Sequence, residues 1–369
     1  MNKPYIRYLV ASPAGDIPVD NDKLDFPLEA DPLKTPYRDY FRSIDDFLLC
    51  GDCSSLLWAL NDHAEKNADI DEIKEIVVRT EKHGALYHPA SVEVVLGDRN
   101  PKFALNVAVT DTGKDSLKRE FTLLQALREK FSLPYIPKPY CMVEANSAVF
   151  LLEEWFEGYH EFHIADAGDG MQRLKLWEYG KGDRFLSARE SFEVYRQASR
   201  ILTLYYDWEN FRVVYPWHHA AGDFVAGIKG QNIDVRLTTV RGYEPFMGFD
   251  KEETVNPVLA LFYFFLHLSV QMRLDKLDGV GDIVWAEDLC VDATLEGFFQ
   301  GLEGKKDFEA AFGSPAAFLK LMRSFGKGDL RKTFAPIIEQ FNPMKDLPVV
   351  ERNLEAHISG LYATLQTFH

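Results

Sequence analysis

The segment from residue 72 to 157 constrains the fold most, because its hydrophobic period changes from two to nearly four and back to two. In residues 102–110 the apolar side chains are Phe103, Leu105, Val107 and Val109. The alternate positions are small or polar and comprise Ala104, Asn106, Ala108 and Thr110. This alternation predicts a strand with one apolar face. The β-branched segments before it, 72–84 and 87–98, predict two further antiparallel strands.

A helix is predicted next, followed by two strands. Residues 116–131 place Leu117, Phe121, Leu124 and Leu127 on one helical face, with Asp115 or Ser116 as the expected N-cap. Prolines after residue 133 end the helix, and apolar segments at 140–145 and 147–155 predict the last two strands. The order β-β-β-α-β-β predicts a small lobe with an antiparallel sheet over residues 72–157.

The remaining chain is predicted to be an N-terminal extension and a second lobe. Residues 1–45 lack a clear period and residues 39–66 are expected to be helical, so residues 1–71 are interpreted as a cap on the small lobe. Residues 158–369 are expected to be mostly helical, with a hairpin around Lys229–Asn232 and a helix capped by Asn256. The predicted class is therefore α+β with two lobes.

The composition limits the partners. The formal net charge is −16, and such an acidic chain repels nucleic acid and anionic membranes. A small-molecule ligand, a cationic one above all, or a basic protein partner suits this charge, and the charge can also serve solubility alone. The apolar segment 258–270 is shorter than the roughly 20 residues of a membrane span, so a cytoplasmic protein is expected.

Two cysteines form a C-x-x-C pattern. Cys50 and Cys53 have this spacing, but no second pair follows, and the nearest further metal ligand is His63. The pattern leaves open either two ordinary thiols or a redox or metal role.

The order of elements over about residues 72–300 resembles the protein-kinase-like fold, in particular its aminoglycoside phosphotransferase branch. This resemblance implies a two-lobed protein that binds ATP and magnesium. The segment 103–106 is similar to the third-strand V-A-I-K motif, which places Ala104 and Asn106 at the nucleotide. Asn106 stands where the motif has lysine, so the positive charge that would hold the phosphates is absent.

Two more positions are carried over from the family. Glu120 is similar to the helix glutamate that pairs with the motif's lysine, and Arg119 or Lys102 could replace that partner. Glu154 begins a segment similar to the hinge pattern, in which an apolar strand runs into E-aromatic-x-x-G. The resemblance implies that this hinge contacts the nucleotide base.

The segment 213–227 is similar to the catalytic loop H-G-D-x-H-x-x-N. One register places His218 on the catalytic aspartate and Asp223 on the metal-binding asparagine, so that Asp223 would bind magnesium and His218 would be the general base. A second register makes Asp223 the catalytic base, preceded by His219. A third interpretation is that both histidines only hydrogen-bond the loop backbone.

Two further motifs depart from the family pattern. Arg241 stands where the D-F-G aspartate would bind magnesium, and an arginine there can contact phosphate but cannot bind a metal ion. The turn 82–89 has one glycine and bulky neighbours, which hinders close approach to phosphates. These changes favour a pseudokinase-like protein that binds a nucleotide, another ligand or a partner. The alternative is a divergent ATP-dependent small-molecule phosphotransferase. The sequence does not indicate the oligomeric state.

Overall fold

The computed structural model describes residues 3–12, 15–29, 31–51, 53–62, 68–81, 84, 86–97, 99–178, 180–245, 256–306, 308–341 and 344–368. It is an α+β structure that divides into two compact units. The first unit comprises Met1–Glu157 with Tyr179–Gly182, and the second comprises Gly158–Glu178 with Asp183–His369. No helix among the described residues is long and apolar enough to cross a membrane.

The helices and strands follow in chain order. The helices are α1 (Tyr37–Leu49), α2 (Ser54–Asp62), α3 (Asp111–Phe131), α4 (Ala188–Leu204), α5 (Pro257–Gln271), α6 (Leu289–Glu303), α7 (Phe308–Phe312), α8 (Pro315–Arg323), α9 (Lys327–Glu339) and α10 (Leu347–Thr367). The strands are β1 (Tyr5–Val10), β2 (Ile17–Pro18), β3 (Glu75–Thr80), β4 (His88–Val95), β5 (Lys102–Ala108), β6 (Pro139–Ala145), β7 (Ala148–Glu154), β8 (His160–Asp166), β9 (Gln172–Glu178), β10 (Gly182–Phe185), β11 (Arg212–Val214), β12 (Phe224–Lys229), β13 (Asn232–Leu237), β14 (Tyr243–Pro245), β15 (Leu274–Lys276) and β16 (Ile283–Trp285).

The first unit is built on a sheet in the order β2-β1-β3-β4-β5-β7-β6. Strands β3, β4 and β5 pair antiparallel, as their alternation predicts, and β7 pairs antiparallel with both β5 and β6. The prediction of a purely antiparallel sheet misses one pairing. Strand β1 pairs parallel with β3, and Tyr5 lies opposite Glu75. The interpretation that residues 1–45 lack regular structure is wrong for this segment, since the residues of β1 are apolar or aromatic apart from Arg7 and show no alternation with polar residues.

One face of this sheet is apolar and is covered by α1 and α2. Phe47 of α1 stacks on Phe150 of β7 with ring centroids 5.0 Å apart, and Leu105 belongs to the same buried cluster. Strand alternation sends Phe103, Leu105 and Val107 to this face because successive side chains point to opposite sides of a sheet. The two helices fall where residues 39–66 were expected to be helical, with a break at Gly51.

Helix α3 covers part of the opposite face. Leu117 packs with Ala108 and Leu151 in a second buried cluster. Ala108 is therefore buried, whereas a residue that lines an open cleft would be exposed to solvent. The helix begins earlier than predicted, because Thr110 rather than Asp115 or Ser116 accepts the capping hydrogen bond from the Gly113 backbone nitrogen. A side chain at Gly113 would place its Cβ 2.0 Å from the Leu86 carbonyl oxygen. Glycine at position 113 thus allows the first turn of α3 to lie close to the backbone of Leu86, next to Tyr87.

The second unit contains a sheet that the sequence interpretation missed. Its order is β10-β9-β8-β12-β13. The expectation of a mostly helical region from residue 158 onward is wrong for residues 160–185, which form β8, β9 and β10. Charged and polar residues are mixed into β9, which buries only Leu174 and Leu176, and β10 is largely exposed, so neither strand has a long apolar run.

Helix α4 is hydrogen-bonded to strand β13. The Gln197 side chain donates to the Ile233 carbonyl oxygen at 2.7 Å and accepts from the Val235 nitrogen at 3.0 Å, which fixes β13 against α4. Helix α6 lies directly against α4, since a Cβ at Gly297 would lie 2.0 Å from the Arg196 carbonyl oxygen. Asn256 caps α5 as predicted.

Candidate functional site

A hairpin in the second unit brings the ends of its two strands together. The register pairs Phe224 with Leu237, so the residues just before β12 lie beside those just after β13. The Thr238 nitrogen donates to the Asp223 carbonyl oxygen at 2.7 Å. Three residues later, Arg241 reaches the side chain of Asp223. The predicted hairpin therefore explains why these two positions converge.

Asp223 and Arg241 form a bidentate ion pair. Arg241 Nη2 lies 2.5 Å from Asp223 Oδ1, and Arg241 Nη1 donates to Asp223 Oδ2. The His218 backbone nitrogen also donates to Oδ2, at 2.8 Å. Asp223 is completely buried, while about a quarter of the Arg241 side chain is exposed. Both carboxylate oxygens are therefore occupied by protein donors, which leaves them poorly suited to bind magnesium.

His218 caps the short 3₁₀ turn His219–Ala221. Its Nδ1 accepts a hydrogen bond from the Ala220 nitrogen at 3.1 Å, so the neutral ring carries its proton on Nε2. Burial lowers the pKa of His218, although nearby carboxylates including Asp346, Asp275 and Asp223 oppose the shift. A ring that uses its acceptor nitrogen on the backbone is poorly arranged for general-base catalysis.

His219 is a buried histidine among aromatic rings. Phe162, Tyr195, Trp217 and Phe224 surround it with ring centroids 5.4–5.9 Å away. Burial lowers the pKa of His219 to about 4. His219 is therefore a core residue of the second unit, and its environment does not suit a general acid or base.

A cluster of polar side chains lies in the first unit, and we call Tyr87, Asn106, Glu120 and Glu153 the carboxyl cluster. Asn106 Nδ2 donates to Glu153 Oε1 at 2.8 Å. The register explains this contact, because Glu153 of β7 lies opposite Ala104, next to Asn106 on the same face of the sheet. Ala104 itself is half-buried.

Glu120 extends from α3 into the carboxyl cluster. The Tyr87 hydroxyl donates to Glu120 Oε2 at 3.1 Å, and Glu120 is 1% exposed. Lys102, one of the two replacement partners suggested by the sequence, places its ammonium 4.0 Å from the centroid of the Trp155 ring.

Glu153 is the central acid of the carboxyl cluster, and it is not among the residues that the resemblance placed at the nucleotide. Burial raises the pKa of Glu153 well above its usual value, and the neighbouring Glu120 raises it further. The hydrogen bond from Asn106 opposes this shift without overcoming it. Glu153 is hard to recognise from the sequence, because it is a buried residue of strand β7, whose other buried residues are apolar.

Glu154, the predicted hinge residue, is half-buried and engaged at the end of the sheet. Its Oε2 accepts from the Lys138 backbone nitrogen at 3.1 Å, and the Glu154 nitrogen donates to the Lys138 carbonyl oxygen. These contacts extend the pairing of β6 and β7 past their bulge.

The other sequence candidates contribute little to either group. Cys50 is exposed and Cys53 is buried, and neither forms a disulfide. His63 and most of the turn at 82–85 lie outside the described residues. In the part of the chain that the structure describes, no group of three or more His, Cys, Asp or Glu side chains could hold a metal ion.

One further ionic cluster in the second unit was not anticipated. His163 Nε2 lies 3.3 Å from Glu161 Oε2, and His163 Nδ1 lies 3.5 Å from Asp275 Oδ1. Burial lowers the pKa of His163, but the two carboxylates outweigh it and the net shift is upward. A Cβ at Gly279 would lie 3.0 Å from this ring, so glycine makes room for it. Asp275 lies more than a hundred positions after Glu161 and His163, which hides the cluster from motif analysis.

Comparison with known proteins adds no family assignment. No protein-family model matches the chain, and no curated protein matches it significantly.

Proposed function

We propose that this protein has a two-lobed kinase-like fold whose phosphotransfer site is degenerate, and that it binds a ligand or partner without ordinary phosphoryl transfer. The two units would correspond to the two lobes. The observation that carries the proposal is the Asp223–Arg241 pair, in which a guanidinium occupies both oxygens of the carboxylate that would bind magnesium.

One more contact supports the absence of phosphoryl transfer. Catalysis of this reaction depends on positioned positive charge around the phosphates. In the first unit, Asn106 donates to Glu153 where the resemblance expects a lysine. The carboxyl cluster thus places acidic side chains where the triphosphate of a nucleotide would have to bind, and their negative charge disfavours that binding.

Nucleotide binding and turnover test this proposal directly. We expect no magnesium-dependent ATP consumption by the natural chain, and we expect any thermal stabilisation by ATP to be independent of magnesium. Arg241→Asp should place a second carboxylate beside Asp223 and create stabilisation that depends on magnesium. Arg331→Asp is the matched control, because Arg331 forms an exposed bidentate pair with Glu355 in the same unit.

The divergent phosphotransferase remains the competing hypothesis. Magnesium-dependent ATP consumption that Asp223→Ala abolishes would support it and contradict our proposal. Equal responses to magnesium in Arg241→Asp and Arg331→Asp would remove the argument that Arg241 replaces a metal.

A further inference from the structure

His163 is a buried histidine with a carboxylate beside each ring nitrogen. The side chain is 0% exposed, its Nε2 lies 3.3 Å from Glu161 Oε2, and its Nδ1 lies 3.5 Å from Asp275 Oδ1. A neutral imidazole carries one N–H, so it turns a lone pair toward one of the two acids. The protonated ring presents an N–H and a positive charge to both of them. The geometry therefore favours the imidazolium.

The two acids differ in how firmly they are held. Asp275 is 1% exposed, its Oδ2 accepts from the Ile164 nitrogen at 2.8 Å, and its Oδ1 accepts from the Lys276 nitrogen at 2.7 Å. By contrast, one third of the Glu161 side chain is exposed. When the ring loses its proton, the positive charge between the acids disappears whichever nitrogen keeps its hydrogen. The backbone still holds Asp275, so Glu161 is the acid whose position responds.

Glu161 also lies against the loop that precedes β12. We call residues 218–222 the histidine loop. A Cβ at Gly222 would lie 2.7 Å from Glu161 Oε1, so the glycine lets the carboxylate approach the loop backbone. Gly222 also has a φ of 70°, which favours glycine at the end of the turn His219–Ala221. The position of Glu161 therefore couples His163 to the histidine loop.

We propose that His163 is a proton switch for the histidine loop, because its imidazolium holds Glu161 against the loop and loss of the proton loosens this contact. What changes is the attraction between the ring and Glu161, and it adds to any other contact that Glu161 makes. The histidine loop ends next to Asp223, so the switch acts on the segment that holds the Asp223–Arg241 pair. The switch does not require the proposed function.

Other charged groups approach the cluster from the neighbouring elements. Lys175 of β9 lies opposite His163, and its ammonium pairs with Asp278 of the 3₁₀ turn Leu277–Gly279 at 2.6 Å. His219 stays neutral at neutral pH, because burial lowers its pKa to about 4. The remaining titratable groups near the cluster are Asp183 of β10, Lys276 of β15 and His218 of the histidine loop.

The direction of the pH dependence follows from the two carboxylates. Burial lowers the pKa of His163, but Asp275 and Glu161 outweigh it, and the net shift is upward from 6.5. The stabilising charge is therefore fully present below about pH 6.5 and is lost as the pH rises through the folded-state value. The histidine loop should be held at low pH and loosened at high pH.

Hydrogen exchange of the full chain at several pH values, measured by mass spectrometry and corrected for intrinsic exchange, tests the switch. Protection of the amides in the histidine loop should fall about tenfold between about pH 6 and about pH 9, because one charge-assisted interaction is lost. The midpoint should lie above 6.5. Peptides from α6 report global opening, and their protection should stay constant.

His163→Gln should abolish this pH dependence, because a neutral amide does not titrate. His160→Gln is the matched control, since His160 lies on the same strand with its side chain on the opposite face. This control should behave like the natural chain. If His163→Gln does not fold, Glu161→Gln decides the matter, because it removes the charge that responds to the ring from a partly exposed position. It should also abolish the pH dependence.

Three results would overturn the assignment. The first is constant protection of the histidine loop in the natural chain, and the second is the natural pH dependence in His163→Gln or Glu161→Gln. The third is an equal loss of protection in α6, which would indicate global destabilisation in place of a local switch. None of these measurements involves ATP or magnesium, so failure of the switch is distinguishable from failure of the proposed function.

Discussion

The Asp223–Arg241 pair and the carboxyl cluster bury acids in opposite ways. In the second unit, Asp223 is completely buried but faces a guanidinium through two parallel hydrogen bonds. In the first unit, Glu153 is also buried, yet its Oε1 accepts from the neutral Asn106 amide and its Oε2 has no hydrogen-bond partner among the described residues. Both oxygens of Asp223 are satisfied by its own chain, and one oxygen of Glu153 is not.

This difference separates structural from binding roles. An ion pair that satisfies both partners stabilises the fold and has little capacity left for a ligand. A buried acid without a counter-charge is unfavourable by itself, and such strain is typical of functional sites. The contrast marks Glu153 as the buried acid whose hydrogen-bonding capacity the described part of the chain does not fill.

The largest expected effect comes from breaking the pair. Arg241→Met should lower the free energy of unfolding by about 3–5 kcal/mol, because it leaves Asp223 buried without a counter-charge. Denaturant unfolding measures this loss. Asp223→Leu added to Arg241→Met should recover part of it, and a double variant no more stable than the single one would contradict the assignment. Arg331→Met, at an exposed pair, should have no measurable effect.

The next effect concerns His219, which shares the loop with the ion pair. The folded-state pKa of about 4 lies below the ordinary value of 6.5, so the folded state binds the proton less tightly than the unfolded chain. Stability is therefore full above about pH 6.5 and is lost as the pH falls toward 4. From pH 7 to 4.5, His219→Leu should reduce this loss by about 2 kcal/mol in denaturant unfolding. An unchanged slope would contradict the buried neutral histidine.

Glu153→Gln should have a smaller effect of opposite sign. Its folded-state pKa is raised, so its stabilising contribution is full below the unfolded value near 4.5 and is lost as the pH rises through the folded value. Glutamine keeps the acceptor for Asn106 and removes the charge that burial and the neighbouring Glu120 and Glu154 disfavour. The variant should be about 1 kcal/mol more stable at neutral pH, with a flatter pH profile. A less stable variant would show that the ionised acid is compensated.

Tyr87→Phe should have the smallest effect. It removes the hydroxyl that donates to Glu120, and one such hydrogen bond contributes about 1 kcal/mol. Thermal unfolding of this variant beside Glu153→Gln measures whether the two acids are coupled. Purely additive changes in the double variant would indicate that they are independent.

Much of the local structure was predictable from the sequence. The alternation around Asn106 identified β5 and its apolar face, and the Gly230 turn identified the hairpin. The same hairpin placed Asp223 and Arg241 close together, so this part of the site followed from spacing. By contrast, β1 and β8–β10 were missed: β10 is short and exposed, and the polar and apolar residues of β1, β8 and β9 do not alternate regularly.

The sequence by itself determined the strands and helices with strong apolar periods and the residue types at 106 and 241, an asparagine and an arginine. Tertiary structure alone decided that Glu153 lies beside Asn106, that Tyr87 reaches Glu120, and that His163 lies between Glu161 and Asp275. The physical reason is that these contacts depend on strand register and helix packing, which join residues far apart in the chain. Burial then sets the charge of each acid and histidine, and no local pattern encodes it.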